Sequence, residues 1–189
     1  MKTRNFAVAL ALMVSGTVIY AQTMEVNPEL SSIHWEGKKI GGKHDGYIHM
    51  KSGSFELESE QIVSGTFVVD MTSITNTDLK DEGRNQRLVG HLKSDDFFGV
   101  ETYPTASFKV VQATKFTNGK ATLTGDITIK NKTERISFDV TKDGMTYSAE
   151  VEIDRSKFDV RYGSKSFFND LGDNAIDDIF TLLIKLVVS

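Results

Sequence analysis

The sequence predicts an all-β domain, an antiparallel sandwich or barrel, on three observations. Apolar and polar residues alternate, as in Tyr147-Ser148-Ala149-Glu150-Val151-Glu152-Ile153-Asp154, and a period of two gives a strand one dry face and one wet face. The pairs Asn118-Gly119 and Asp143-Gly144 punctuate such runs and signal two-residue hairpins, whose turns demand positive φ. Two prolines occur, Pro28 and Pro104, and both fall outside the best strands.

The elements follow in chain order. Lys2 and Arg4 precede an uncharged, mostly apolar run over residues 6–21. This pattern reads as a signal peptide cleaved after Ala21, and the run is short for a membrane span of about 20 apolar residues. Residues 22–189 then form one domain. Lys51-Ser52-Gly53 and Ser64-Gly65 read as turns or bulges, and Phe67, Val68, Val69 and Met71 as a strand apolar on both faces. Residues 77–93 are highly charged and lack alternation. They read as a short helix or lid-like excursion capped by Thr77 or Asp78, with Gly83 and Gly90 opposing a long regular helix.

Strands resume with Ala106, Phe108 and Val110, then Leu123, Ile127 and Ile129, then Ile136, Phe138 and Val140, ahead of the run around Val151. The last strand places Phe180, Leu182, Ile184, Leu186 and Val188 on one face, yet Leu183 and Val187 interrupt the other. Such a strand asks for apolar cover outside as well as inside, from a helix, a dimer partner or a curled sheet.

Composition narrows the function. The net charge is −4 and becomes more negative once Lys2 and Arg4 leave. With no basic cluster, nucleic acid is a poor partner. Cysteine is absent, so an exported chain has no disulfide framework and no lipid-modified cysteine to anchor it. The histidines His34, His44, His49 and His91 lack the closely spaced pair of a zinc site. Asn169, Asp170, Asp173, Asn174, Asp177 and Asp178 lack calcium-loop spacing and read as a solvated turn. No nucleophile elbow, metalloprotease helix, phosphate loop or dinucleotide fingerprint occurs, and no cofactor is expected. A surplus of aromatics remains, which fits a packed core or a barrel lined around one small ligand.

Four blocks carry a resemblance: SSIHWEGKKIGGKHDG (31–46), GHLKSDDFFGVETYPTASF (90–108), ATLTGDITIK (121–130) and DRSKFDVRYGSKSFFNDLGD (154–173). In this order they resemble the YceI-like family of polyisoprenoid-binding proteins, from about residue 24 to the C-terminus. The stretch from His91 to Phe108 is the most specific. The resemblance implies an extended, lipocalin-like antiparallel β-barrel of about eight strands with an internal apolar tunnel. It also implies a periplasmic or secreted location, a homodimer, and an isoprenoid lipid, quinone or similar long-chain amphiphile as ligand. The 121–130 block departs from the wider family, and the 162–173 stretch looks like a subgroup feature without an assigned role.

On that resemblance, Trp35, Phe55, Phe67, Phe108, Phe138 and Tyr147 are the expected tunnel lining. His91, Ser94 and Asp96 are the expected polar rim, with helix-capping or turn roles as the alternative for them. The leading expectation is non-enzymatic binding, transport or storage of the lipid. The alternatives are a secreted lipid-acting hydrolase or isomerase, and a solid-core structural or adhesive module.

Overall fold

The computed structural model describes residues 21–189; apart from Ala21, the expected leader lies outside them. Nine strands follow one another: β1 (Gln22–Glu25), β2 (Ser32–Lys39), β3 (Gly42–Glu58), β4 (Gln61–Asp70), β5 (Thr105–Ala113), β6 (Lys120–Ile129), β7 (Lys132–Asp143), β8 (Thr146–Asp154) and β9 (Ile176–Val187). Eight of them close in the order β2-β9-β8-β7-β6-β5-β4-β3, with β3 pairing β4 to complete an all-antiparallel barrel. β1 adds to the far half of β3, and Val26 bridges to Val188 beside it.

Alternation sets which face is inside. On β8, Tyr147, Val151 and Ile153 are buried while Ser148, Glu150 and Glu152 are exposed. On β6, Ala121, Leu123, Gly125, Ile127 and Ile129 are buried. The turns then fix register. Asn118 and Gly119 both have positive φ, and Thr117 and Lys120 exchange backbone hydrogen bonds across them, as a primed two-residue turn requires. The β7–β8 turn sits one residue later than Asp143-Gly144 implies: Asp143 pairs Thr146, and the central residues are Gly144, at φ +56, and Met145. Lys51 is a bulge within a continuous β3, whose register against β4 shifts between Met50 and Ser52.

The charged excursion contains a twelve-residue helix, α1 (Glu82–Lys93), capped by Asp81, whose carboxylate accepts from the Arg84 N–H at 2.8 Å. This corrects the expected cap and the expected effect of the glycines. A cap contributes about 1 kcal/mol, comparable to the cost of each glycine. The helix is further held by burial of Leu92 and by Asn85, whose side chain donates to the carbonyls of Asn76 and Leu79.

Thr77 and Asp78 have a different task. Residues 74–78 form a strap along the edge of β3 that β4 leaves free, with the N–H of Thr75 on Tyr47 O and the N–H of Thr77 on Asp45 O, both at 2.9 Å. Asp78 accepts from the Asp45 N–H and pairs with His44 at 2.9 Å, while Asp45 pairs with His34 at 3.0 Å and accepts from Thr77 Oγ1. The strap lies so close that a Cβ on Gly46 would stand 2.0 Å from the Thr75 carbonyl oxygen. Only a residue without one fits beneath it.

The outer face of β9 finds no cover within the described chain. Leu183 is 46% exposed and Ile179 42%, so the apolar residues on the wet side of this strand face solvent.

Candidate functional site

The barrel interior is not filled. An apolar cavity of about 220 Å³ runs inside it, lined from every strand of the closed ring. A cavity of ~150 Å³ walled by aliphatic and aromatic groups already stays dry and takes up apolar guests. A solid core, left open by composition, does not describe this interior.

All six aromatics expected in the tunnel line the cavity. Five form a continuous band: Tyr147 meets Phe55 edge-on at 5.0 Å, Phe55 lies 6.2 Å from Phe67, Phe67 6.3 Å from Phe108, and Phe108 5.4 Å from Phe138. Phe108 lies across the wall at Gly125, where a Cβ would stand 2.3 Å from its ring. Trp35 stands apart, its indole N–H donating to Thr75 O at 3.0 Å and so joining the lining to the strap. Sequence reasoning left out the aliphatic half of the wall, such as Ile136, Leu182, Ile184 and Leu186. These alternate on their strands and were readable as inward-facing without their register.

Tyr147 and Arg155 mark two ends of the cavity. They are separated by the length of β8, about 26 Å at ~3.3 Å per residue. At the Arg155 end the strap residue Ile74, Leu92 of α1, and Phe97 and Phe98 beyond it close over the barrel. Arg155 is 2% exposed. Its Nε donates to Asp177 O, Nη1 to Val160 O and Tyr162 O, and Nη2 to Ile176 O. Its Cζ lies 5.4 Å from the centre of the Phe97 ring. Burial pushes the guanidinium below its ordinary range, and Asp178, 3.4 Å from Nη2, opposes that shift. Burial raises the Asp178 carboxyl in turn, but the Ser164 and Ser166 hydroxyls and then Arg155 outweigh it and hold the group low. This cation ties residues 160–178 together and has its donors committed to them.

None of the three expected rim residues lines the cavity. The Ser94 hydroxyl donates to His91 O at 2.8 Å, at the C-terminal cap of α1, which is the capping role. The His91 ring stacks edge-on against Tyr162 at 4.3 Å and stands 5.9 Å from Phe97, one ring removed from the cavity. Asp96 is exposed on the turn after the helix. Among the described residues no group of three or more histidine, cysteine or acidic side chains is placed to hold a metal ion.

A closed antiparallel barrel around a long apolar cavity defines the class of β-barrels able to enclose a small hydrophobic molecule. The family model of the YceI-like domain matches residues 24–188, and the chain belongs to that family. A UPF0312 protein of Vibrio parahaemolyticus is 26% identical over 145 residues, covering 74% of this chain and 73% of its own. Solved structures share the fold at lower identity. BcnA of Burkholderia cenocepacia superposes with a TM-score of 0.62 at 23% identity, over 87% of this chain and 99% of its own. A polyisoprenoid binding domain from Saccharophagus degradans gives 0.59 at 12%, over 88% and 97%. A mutant YceI protein of Campylobacter jejuni with a monobromobimane guest gives 0.53 at 18%, over 99% and 92%.

Proposed function

We propose that this protein binds an isoprenoid lipid, or a similar long-chain amphiphile, in the barrel and carries or stores it without catalysing a reaction. The observation that carries the reading is the apolar cavity itself, lined by the Tyr147–Phe55–Phe67–Phe108–Phe138 band. Each CH₂ removed from water contributes about 0.8 kcal/mol, so a partly buried prenyl tail binds without polar contacts along its length. One fold relative, named for polyisoprenoid binding, supports the reading. The proposal includes export to the periplasm or beyond and a homodimer.

Native mass spectrometry of protein purified from its own host tests the reading. A stoichiometric mass excess that fragments as a prenyl chain is expected. A clean apo mass, unchanged after incubation with polyprenols and quinones, overturns it. Ala149→Trp, which places an indole in the cavity wall, is expected to reduce loading. Light scattering in solution reads the dimer, and N-terminal sequencing of exported protein reads the cleavage site.

A further inference from the structure

The Arg155 end of the barrel carries apolar side chains that nothing in the described chain covers. Tyr162 and Phe168 are each 48% exposed, Phe167 39%, and Ile40, in the β2–β3 turn, 48%. Their two segments meet at the start of β9: the Ile40 N–H donates to Ala175 O at 3.3 Å, and the Ile176 N–H to Gly163 O at 2.8 Å. Ordered backbone displays the rings. The carbonyl of fully buried Ser164 accepts from the Phe167 and Phe168 N–H groups at 3.2 and 3.0 Å, and Arg155 holds Tyr162 O at 2.8 Å. Large apolar side chains gathered outside a core mark a surface that meets a partner.

This surface is joined to the cavity. Tyr162 stacks edge-on against His91 at 4.3 Å, and His91 stands 5.9 Å from Phe97, which lines the cavity. Charge separates it from the exposed apolar face of β9, where Leu183 stands opposite Glu150 and Ile179 opposite Asp154. Carboxylates frame that face. Residues 38–43 read KKIGGK and residues 161–168 read RYGSKSFF, with five cations and no acid between them. Glu36 pairs with Lys38 and Lys43, and Asp159 with Arg161, while Lys39 and Lys165 stay exposed next to the apolar residues. Asp170 and Asp173 on the turn that follows keep the surplus small, so the rings supply most of the attraction.

We propose that the Arg155 end docks reversibly on the surface of a phospholipid bilayer, with Ile40, Tyr162, Phe167 and Phe168 entering the headgroup layer and Lys39 and Lys165 meeting lipid phosphates. Aromatic rings flanked by cations suit that layer, where one end is apolar and the other wet, and an anionic leaflet attracts the lysines. Docking there sets the closed-over end of the cavity against the membrane. That the docked end is where a lipid passes between bilayer and barrel rests on the lipid-binding reading; the docking itself does not.

The test is flotation of the full mature protein with vesicles of phosphatidylethanolamine and phosphatidylglycerol. The parent is expected to float with them. Ile40→Ser with Phe168→Ser is expected to weaken vesicle binding by about 10- to 100-fold, the weight of two apolar side chains leaving the interface. Neither residue lines the cavity, so displacement of a cavity-bound dye is expected to be unchanged. The matched pair Ile179→Ser with Leu183→Ser is expected to float like the parent. Phe168→Trp keeps a large ring, and its fluorescence is expected to shift to the blue on vesicles and to be quenched by brominated lipid. A parent that does not float, or a Phe168→Trp signal that vesicles leave unchanged, overturns the docking and leaves the carrier reading standing. Equal losses from the two serine pairs also overturn it. So does unchanged flotation of the Ile40 and Phe168 variant together with a smaller mass by light scattering, which would make the surface a contact between copies of the chain. Flotation of a protein that takes up no lipid overturns the carrier reading and upholds the docking.

Discussion

The two ends of the barrel are built from different materials. At the Tyr147 end the strands are joined by tight turns: Ser59-Glu60, Asn118-Gly119 and Gly144-Met145 connect neighbours with two residues each. At the Arg155 end two long connections, residues 71–104 and 155–175, fold back over the opening. Their polar groups are engaged by Arg155, by the two histidine–aspartate pairs and by the edge of β3. One end thus owes its order to backbone turn geometry with an unpartnered phenol inside it. The other owes its order to side-chain hydrogen bonds that reach backbone carbonyls. Closing a barrel with short turns leaves few polar groups to satisfy, whereas a long connection brings many, and each must find a partner.

That contrast is breakable, and the largest effect is expected at Arg155. Arg155→Met leaves the carbonyls of Val160, Tyr162, Ile176 and Asp177 without their donor and Asp178 without its counter-charge. Unfolding in urea is expected to show a loss of about 3–5 kcal/mol. Gly46→Val comes next. The Cβ would overlap the Thr75 carbonyl, and a loss of about 1–3 kcal/mol is expected, with amide exchange accelerated at Thr75 and Thr77 but not at Thr117 and Lys120.

Acid sharpens the same comparison with no mutation. Hydrogen bonds from Thr77 and then His34 hold the Asp45 carboxyl low. Burial raises Asp78, but His44, the Asp45 N–H and Asn76 outweigh it, and that carboxyl is low as well. Their stabilisation is therefore present above the unfolded value of about 3.9 and is lost as pH falls through the lower folded values. Hydrogen exchange below about pH 4 is expected to open the strap before the Asn118-Gly119 hairpin. The smallest effect belongs to the pair Lys142–Glu60, where Glu60 is 59% exposed. Glu60→Gln is expected to change stability by less than about 1 kcal/mol.

Legibility in the sequence divided local turns from long-range contacts. The hairpin at Asn118-Gly119 was plain because glycine and asparagine tolerate left-handed backbone. Ser59-Glu60 and Lys130-Asn131 form equivalent turns at positive φ, and three of those four residue types carry no such signal. The strap was hidden altogether. Thr77 and Asp78 look like helix caps because they precede a charged, helical stretch, and their partners His44 and Asp45 lie more than thirty residues away. The same distance conceals Arg155, which reads as one basic residue after a strand until residues 160–178 fold around it.

Alternation and turn chemistry are local, so the sequence by itself determined strands, most of their inward faces, and an antiparallel all-β fold. The family motifs added the barrel and the aromatics of its lining. Tertiary structure alone decided three things: that those aromatics surround a void, which residues close each end, and which buried polar atoms, the Tyr147 hydroxyl and Asp178 Oδ1 among the described residues, are left without a hydrogen-bond partner. Each depends on where distant strands come to lie relative to one another. Closure brings β3 against β4 and β2 against β9, and no period along the chain records the space that remains between them.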